Sequence, residues 1–216
     1  MEHAAVMRLA TAMVGGSFDP VHLGHLHLIH SVLTSTGYRR FILVPVAKNN
    51  FKQEMHLASG LDRFEMLRLA VKAYPSLYPD DPKCSLIVDP MELERGGVSY
   101  TSDTVAEIYQ KYPVDGKLGV VIGDDLLPGL PKWHNFDELR KVATFVVARR
   151  EIAEPVWNGP DIDLKYIHES LFSDSSTEIR DAIGALRRHS AIPEAIRTLM
   201  PKEVADYVET HRLYRH

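Results

Sequence analysis

His22 and His25 close the run Gly15-Gly16-Ser17-Phe18-Asp19-Pro20-Val21-His22-Leu23-Gly24-His25. Three residues apart on a helix, two imidazoles share a face. Gly15 and Gly16 let the backbone approach a ligand with no Cβ in the way, and Gly24 keeps the first helical turn thin. The unpaired N–H groups of a helix start, with the positive end of its dipole, form an anion site. Imidazoles over such donors suit a polyphosphate whose charge shifts during reaction. The competing reading is a surface or capping histidine, the usual fate of a histidine at a helix start. With 11 histidines in the chain, the other nine are read that way or as structural. This pair differs because a strand end, a turn and a helix start coincide around it.

Those elements follow from apolar patterning. Residues 9–14 form a short apolar run with no helical period, as in a strand covered on both faces. Leu26, Ile29 and Leu33 recur at spacings of three and four, which predicts a helix over 23–33 that stops near Gly37. Further strands are predicted at 41–46, 86–88, 118–122 and 145–148, alternating with helices at 61–73, 104–112 and 136–142. Such alternation implies parallel strands joined by right-handed crossovers. The expected fold is α/β, a Rossmann-like doubly wound parallel sheet, with ligands at the carboxyl ends of the strands. From about residue 175 the tail reads as helical, punctuated by Pro193 and Pro201. At 216 residues the chain is expected to form one domain.

Composition narrows the ligand. A net charge of −4 offers no basic footprint, so a nucleotide is expected rather than a polynucleotide. A single cysteine, Cys84, excludes an internal disulfide and a multi-cysteine metal site. Neither a targeting pattern nor a run near the ~20 apolar residues of a membrane span is present, and the expected location is the cytoplasm. No G-x-x-x-x-G-K-[ST] occurs and no G-x-G-x-x-G follows the first strand, which leaves the histidine junction as the phosphate site.

A second helix start lies at Phe172-Ser173-Asp174-Ser175-Ser176-Thr177-Glu178-Ile179-Arg180. Ser175 and Glu178 make a capping box, and local chemistry alone reads the segment as a well-capped helix. Together the two segments resemble the paired signatures of the nucleotidyltransferase superfamily, G-x-F-D-P-x-H-x-G-H and S-S-T-x-I-R. These small α/β enzymes join a nucleoside triphosphate to a phosphate-bearing acceptor and release pyrophosphate. The resemblance implies ATP contacts along Gly15, Gly16, Ser17, Phe18 and Gly24. It also implies phosphate contacts by Ser176 and Thr177, and catalytic roles for His22, His25 and Arg180.

Asp124, after the fourth strand, reads either as a solvated turn carboxylate or as an acceptor for ribose hydroxyls. Trp133 reads either as a cap on the core or as a flat surface for an aromatic base. Asn135 and Glu138 are expected to cap the next helix. The segments Ile122-Gly123-Asp124-Asp125, Leu130-Pro131-Lys132-Trp133 and Ser99-Tyr100-Thr101-Ser102-Asp103-Thr104 are similar to those of bacterial nicotinate-nucleotide adenylyltransferases. That family makes the dinucleotide precursor of NAD, and the similarity runs from about Leu9 to a closing Tyr207 and Tyr214. It implies that Trp133 stacks on the pyridine ring and that Tyr100 and Thr101 donate to its carboxylate; local chemistry alone reads Thr101 as a helix cap, and the two readings are compatible because a helix N-terminus favours an anion.

One loop departs from the family. Where L-P-N-N-x-P-P-H-[KR] is usual, this chain has Leu43-Val44-Pro45-Val46-Ala47-Lys48-Asn49-Asn50-Phe51-Lys52. Lys52 matches the basic position and is assigned to the acceptor, against the plain alternative of a surface lysine. The implied reaction is adenylyl transfer from ATP to nicotinate mononucleotide, with Mg²⁺ accompanying ATP and no dedicated protein ligands for the metal. The alternatives are an enzyme preferring nicotinamide mononucleotide or another small phosphate acceptor, and a nucleotide-binding regulatory protein without turnover. A homo-oligomer is also open, since Leu130, Trp133 and Phe136 can equally face a partner subunit.

Overall fold

The chain threads a parallel sheet whose central strands are apolar because both of their faces are covered. In the computed structural model, residues 8–47, 58–149, 157–168, 175–187 and 190–215 are described. The strands are β1 (Thr11–Gly16), β2 (Arg40–Pro45), β3 (Ser85–Val88), β4 (Leu118–Gly123), β5 (Ala143–Arg149) and β6 (Asp163–His168). They pair in parallel in the order β3-β2-β1-β4-β5-β6. The helices are α1 (Leu23–Ser35), α2 (Gly60–Leu77), α3 (Met91–Arg95), α4 (Thr101–Lys111), α5 (Phe136–Val142), α6 (Ser176–Gly184), α7 (Glu194–Arg197) and α8 (Lys202–Thr210). A 3-10 helix spans Asp124–Lys132 between β4 and α5.

Alternate strand residues feed two cores, as the period of two requires. Val14, Phe41, Leu43, Val121 and Val146 pack with α1, α2, α6 and α8 on one face. Met13, Ile42, Val44, Val120 and Phe145 pack with α4 and α5 on the other. The first three strands build outward from β1, and the chain then crosses back to lay β4 on its other side. That reversal opens a crevice beyond the carboxyl ends of β1 and β4, the position where doubly wound sheets bind ligands.

The β1–β4 seam depends on close contact at Gly119. A Cβ there would lie 2.6 Å from Cζ of the buried Tyr38 ring. Gly119→Ala is expected to destabilise the fold by about 1–3 kcal/mol, the usual cost of overpacking a full core. Urea unfolding checks this, and an unchanged midpoint would show that the ring has room to move.

Three elements were not foreseen in the sequence: β6, α3 and the 3-10 helix. β6 is an edge strand in which Asp163, Lys165 and Tyr166 are exposed, so it lacks the apolar run that marks the central strands. α4 begins three residues before its expected start, with Thr101 as its first residue and Tyr100 at the cap position. Asn135 does not cap α5 through its side chain. It takes a left-handed backbone, φ 52°, and its carbonyl accepts the N–H groups of Glu138 and Leu139. The capping box at α6 is formed as expected: Ser175 Oγ accepts the Glu178 N–H at 3.1 Å, and Glu178 Oε2 accepts the Ser175 N–H at 3.0 Å. Among the described residues no helix is long and apolar enough to cross a membrane.

Candidate active site

β1 delivers Gly15 and Gly16 to the crevice, and the turn after them brings His22 to the N-cap of α1 and His25 to its first turn. The two imidazole centroids are 3.9 Å apart. The His22 backbone N–H donates to Nδ1 of His25 at 3.2 Å. A nitrogen that accepts a hydrogen bond carries no proton, so the neutral His25 ring holds its hydrogen on Nε2 and presents it as a donor.

One expectation about this junction is corrected. The α1 terminus is less open than an isolated helix start, because the Leu23 N–H donates to the Leu199 carbonyl at 2.9 Å and the His25 N–H to the His22 carbonyl at 3.0 Å. Phe18 does not offer its ring to a nucleotide. Its backbone is left-handed, φ 49°, and its ring is buried beneath Gly16 and beside His25. A Cβ on Gly16 would come within 3.1 Å of that ring, so Gly16 is needed for the turn to close. Only the backbone of Phe18 can reach a ligand.

Side chains from distant parts of the chain hold the turn. Arg63 Nη1 donates to the Ser17 carbonyl at 2.7 Å, and the Ala58 N–H donates to Asp19 Oδ1 at 3.2 Å. From α6, Ser176 Oγ donates to the Pro20 carbonyl at 2.9 Å and Arg180 Nη1 to the Asp19 carbonyl at 2.8 Å. Burial lowers the Arg63 pKa, and the Asp19 charge opposes that shift.

The two signature segments are therefore in direct contact. Arg180 Nη2 also donates to Thr177 Oγ1 at 3.1 Å. Among the described residues the hydrogen bonds of this guanidinium go to neutral oxygens, which orients it while leaving its charge for an anion. The Ser176 hydroxyl hydrogen is spent on Pro20, so a phosphate contact by Ser176 would use its backbone N–H. Thr177 accepts from Arg180 and keeps its own hydroxyl hydrogen as a donor.

A pocket opens where β1 and β4 diverge, lined by Gly15, Gly16, Glu92, Ser99, Thr101 and Trp133. The indole of Trp133 caps the core, packing edge-on against Phe145 at 6.4 Å, and also lines the pocket. Tyr100 stacks its ring on His134 at 4.3 Å, and the pocket is lined by its neighbours Ser99 and Thr101. Asp124 opens the 3-10 helix directly after β4, half-buried at the crevice end of the sheet. Leu130, Trp133 and Phe136 are buried in the protein's own core and do not present a subunit surface. Lys52, with Lys48, Asn49 and Asn50, lies outside the described residues.

Glu92 was not singled out from the sequence, and Ser99 entered only as part of a family segment with no role of its own. Glu92 is buried, and its Oε1 accepts from Thr104 Oγ1 at 2.5 Å, while Arg95 Nη2 donates to the same hydroxyl at 3.0 Å. Ser99 Oγ is buried with no hydrogen-bond partner among the described residues. A carboxylate in the short helix Met91–Arg95 reads locally as a solvated charge, and only the fold turns it toward the pocket.

Sheet order, crevice and histidine junction define a nucleotidyltransferase-type α/β protein, and residues 13–182 match the cytidylyltransferase-like family. A probable nicotinate-nucleotide adenylyltransferase of Treponema pallidum is 35% identical, over 94% of this chain and 98% of the relative. Another, of Listeria innocua, is 31% identical over 96% and 98%. Among solved structures, Plasmodium falciparum nicotinic acid mononucleotide adenylyltransferase complexed with NaAD has the same fold, with a TM-score of 0.70 at 18% identity, covering 96% of this chain and 98% of that one. The chain belongs to the nicotinate-nucleotide adenylyltransferase family.

Proposed function

We propose that the chain transfers the adenylyl group of ATP to the 5′-phosphate of nicotinate mononucleotide, giving nicotinate adenine dinucleotide and pyrophosphate. The observation that carries this is a single crevice with the His22–His25 pair and Arg180 at the β1 turn and an aromatic-walled pocket beside it. The acceptor phosphate attacks the α-phosphorus in line and is already anionic, so no protein base is required. Catalysis is alignment and charge stabilisation. Nε2–H of His25 donates to the transferring phosphoryl group, His22 supports it, and Arg180 with Thr177 and the Ser176 N–H takes the departing pyrophosphate. Gly15, Gly16, Ser17 and Gly24 approach ATP through their backbone, and Asp124 accepts from ribose hydroxyls.

Trp133 stacks on the pyridine ring, and the start of α4 at Tyr100 and Thr101 receives its carboxylate. Mg²⁺ would travel on the phosphates and water and neutralise their charge there. Glu92 favours a second reading, because a buried carboxylate beside the pocket suits an amide N–H better than an acid.

Pyrophosphate release from ATP and Mg²⁺, run in parallel with nicotinate mononucleotide and its amide, decides between them. A strong preference for the acid is expected. Equal or reversed rates would favour the amide, and silence with both would favour a binding protein. Trp133→Phe is expected to raise KM for the acceptor several-fold with little change in kcat, since base stacking contributes about 1–3 kcal/mol when measured by removal of the ring. An unchanged KM would place the pyridine elsewhere.

A further inference from the structure

We infer that Tyr214, at the far end of the chain, is a positioning residue for the phosphate site, acting through Asp19; this rests on the phosphate roles proposed above. α8 ends in a turn where the Leu213 N–H donates to the Val208 carbonyl at 3.0 Å and Tyr214 takes a left-handed backbone, φ 64°. That turn throws the Tyr214 side chain inward, where it is 6% exposed. Its hydroxyl donates to Asp19 Oδ1 at 2.8 Å.

Asp19 is itself only 3% exposed and stands three residues before His22. It joins three parts of the fold. Its carboxylate accepts from Tyr214 and from the Ala58 N–H, and its carbonyl accepts from Arg180. A hydroxyl bond to a buried carboxylate is of the strong, charge-assisted kind. Fixing the carboxylate restrains the Asp19 backbone, and that backbone aims the guanidinium of Arg180. Burial and the Asp19 charge push the Tyr214 phenol far above its ordinary range, so it remains a donor across the working pH.

Tyr207, on the same tail, supplies an internal control. Its hydroxyl donates to Asp62 Oδ1 on α2 at 3.0 Å, and among the described residues its hydrogen bonds reach neither signature segment.

The test compares Tyr214→Phe, Tyr207→Phe, Asp19→Asn and the Tyr214→Phe/Asp19→Asn double variant in the full chain. The readouts are steady-state kinetics with ATP, Mg²⁺ and nicotinate mononucleotide, pyrophosphate affinity by calorimetry, and Tm. Tyr214→Phe keeps the ring and is expected to lower kcat about tenfold, as for one lost hydrogen bond to a charged group. Pyrophosphate affinity should weaken several-fold while KM for nicotinate mononucleotide holds. Tyr207→Phe should leave kcat and pyrophosphate affinity at wild-type values. On the Asp19→Asn background the further loss should be no more than about twofold, because the neutral amide has already lost the charge that strengthens the same hydrogen bond.

Should Tyr214→Phe not fold, Asp19→Asn alone must show the same pattern of lower kcat with constant acceptor KM. Wild-type kcat and pyrophosphate affinity in Tyr214→Phe with a lowered Tm, or losses that multiply in the double variant, would overturn the inference. A wild-type protein that transfers nothing yet binds pyrophosphate, with weaker binding in Tyr214→Phe, would overturn the proposed reaction and uphold the role of the tail.

Discussion

His25→Ala is expected to give a folded protein whose kcat is lower by about a hundred- to a thousandfold, with small changes in either KM. The size follows from losing one preorganised donor at the developing charge, about 2.7–4 kcal/mol of transition-state stabilisation in comparable sites. Selectivity for kcat follows from geometry. The His25 ring is fixed by the His22 N–H on Nδ1 and by the Phe18 ring 5.0 Å away, so its donor is aligned before substrate arrives. The fold should survive because the ring is only half-buried and its removal opens no closed cavity. Single-turnover pyrophosphate release and thermal unfolding check both halves, and near wild-type turnover would sink the assignment of this histidine to the phosphates.

Arg180→Ala is expected to lose about ten- to a hundredfold in kcat/KM for ATP, the scale of a hydrogen-bonded charge contact of about 1.5–3 kcal/mol. Arg180→Lys should recover only part of that loss. A lysine keeps the charge but lacks the planar fork that reaches both the Asp19 carbonyl and Thr177 Oγ1 and still faces an anion. The acceptor serves as the control: its KM should be nearly constant in both variants, because Arg180 lies at the β1 turn and Trp133 across the crevice. Equal damage to both substrates would mean that Arg180 holds the turn together and does not bind pyrophosphate. Full recovery by lysine would mean that charge alone is needed.

These predictions draw on two kinds of information. The parallel α/β architecture, the histidine pair at the first strand–helix junction and the capping box at Ser175 were legible in the sequence, because each is written in residues within one helical turn or one strand of each other. The edge strand β6 was not legible, since its exposed Asp163, Lys165 and Tyr166 lack the apolar run of a buried strand. The inward turn of the Phe18 ring was not legible, because the motif shows only an aromatic beside glycines, while the left-handed backbone that turns it inward is set by packing under Gly16. Asn135 and the Leu23 N–H found backbone partners where local chemistry offered a side-chain cap or an open donor.

What the sequence alone determined is thus the order of elements and the chemistry at two helix starts, both governed by short-range periodicity and capping. The tertiary structure decided that the two starts lie in direct contact. The contacts that do this span the chain: Ser176 to Pro20 across 156 residues, Arg180 to Asp19 across 161, and Tyr214 to Asp19 across 195. No local pattern encodes such pairs, because closing loops of that length costs entropy that only the collective burial of two cores offsets.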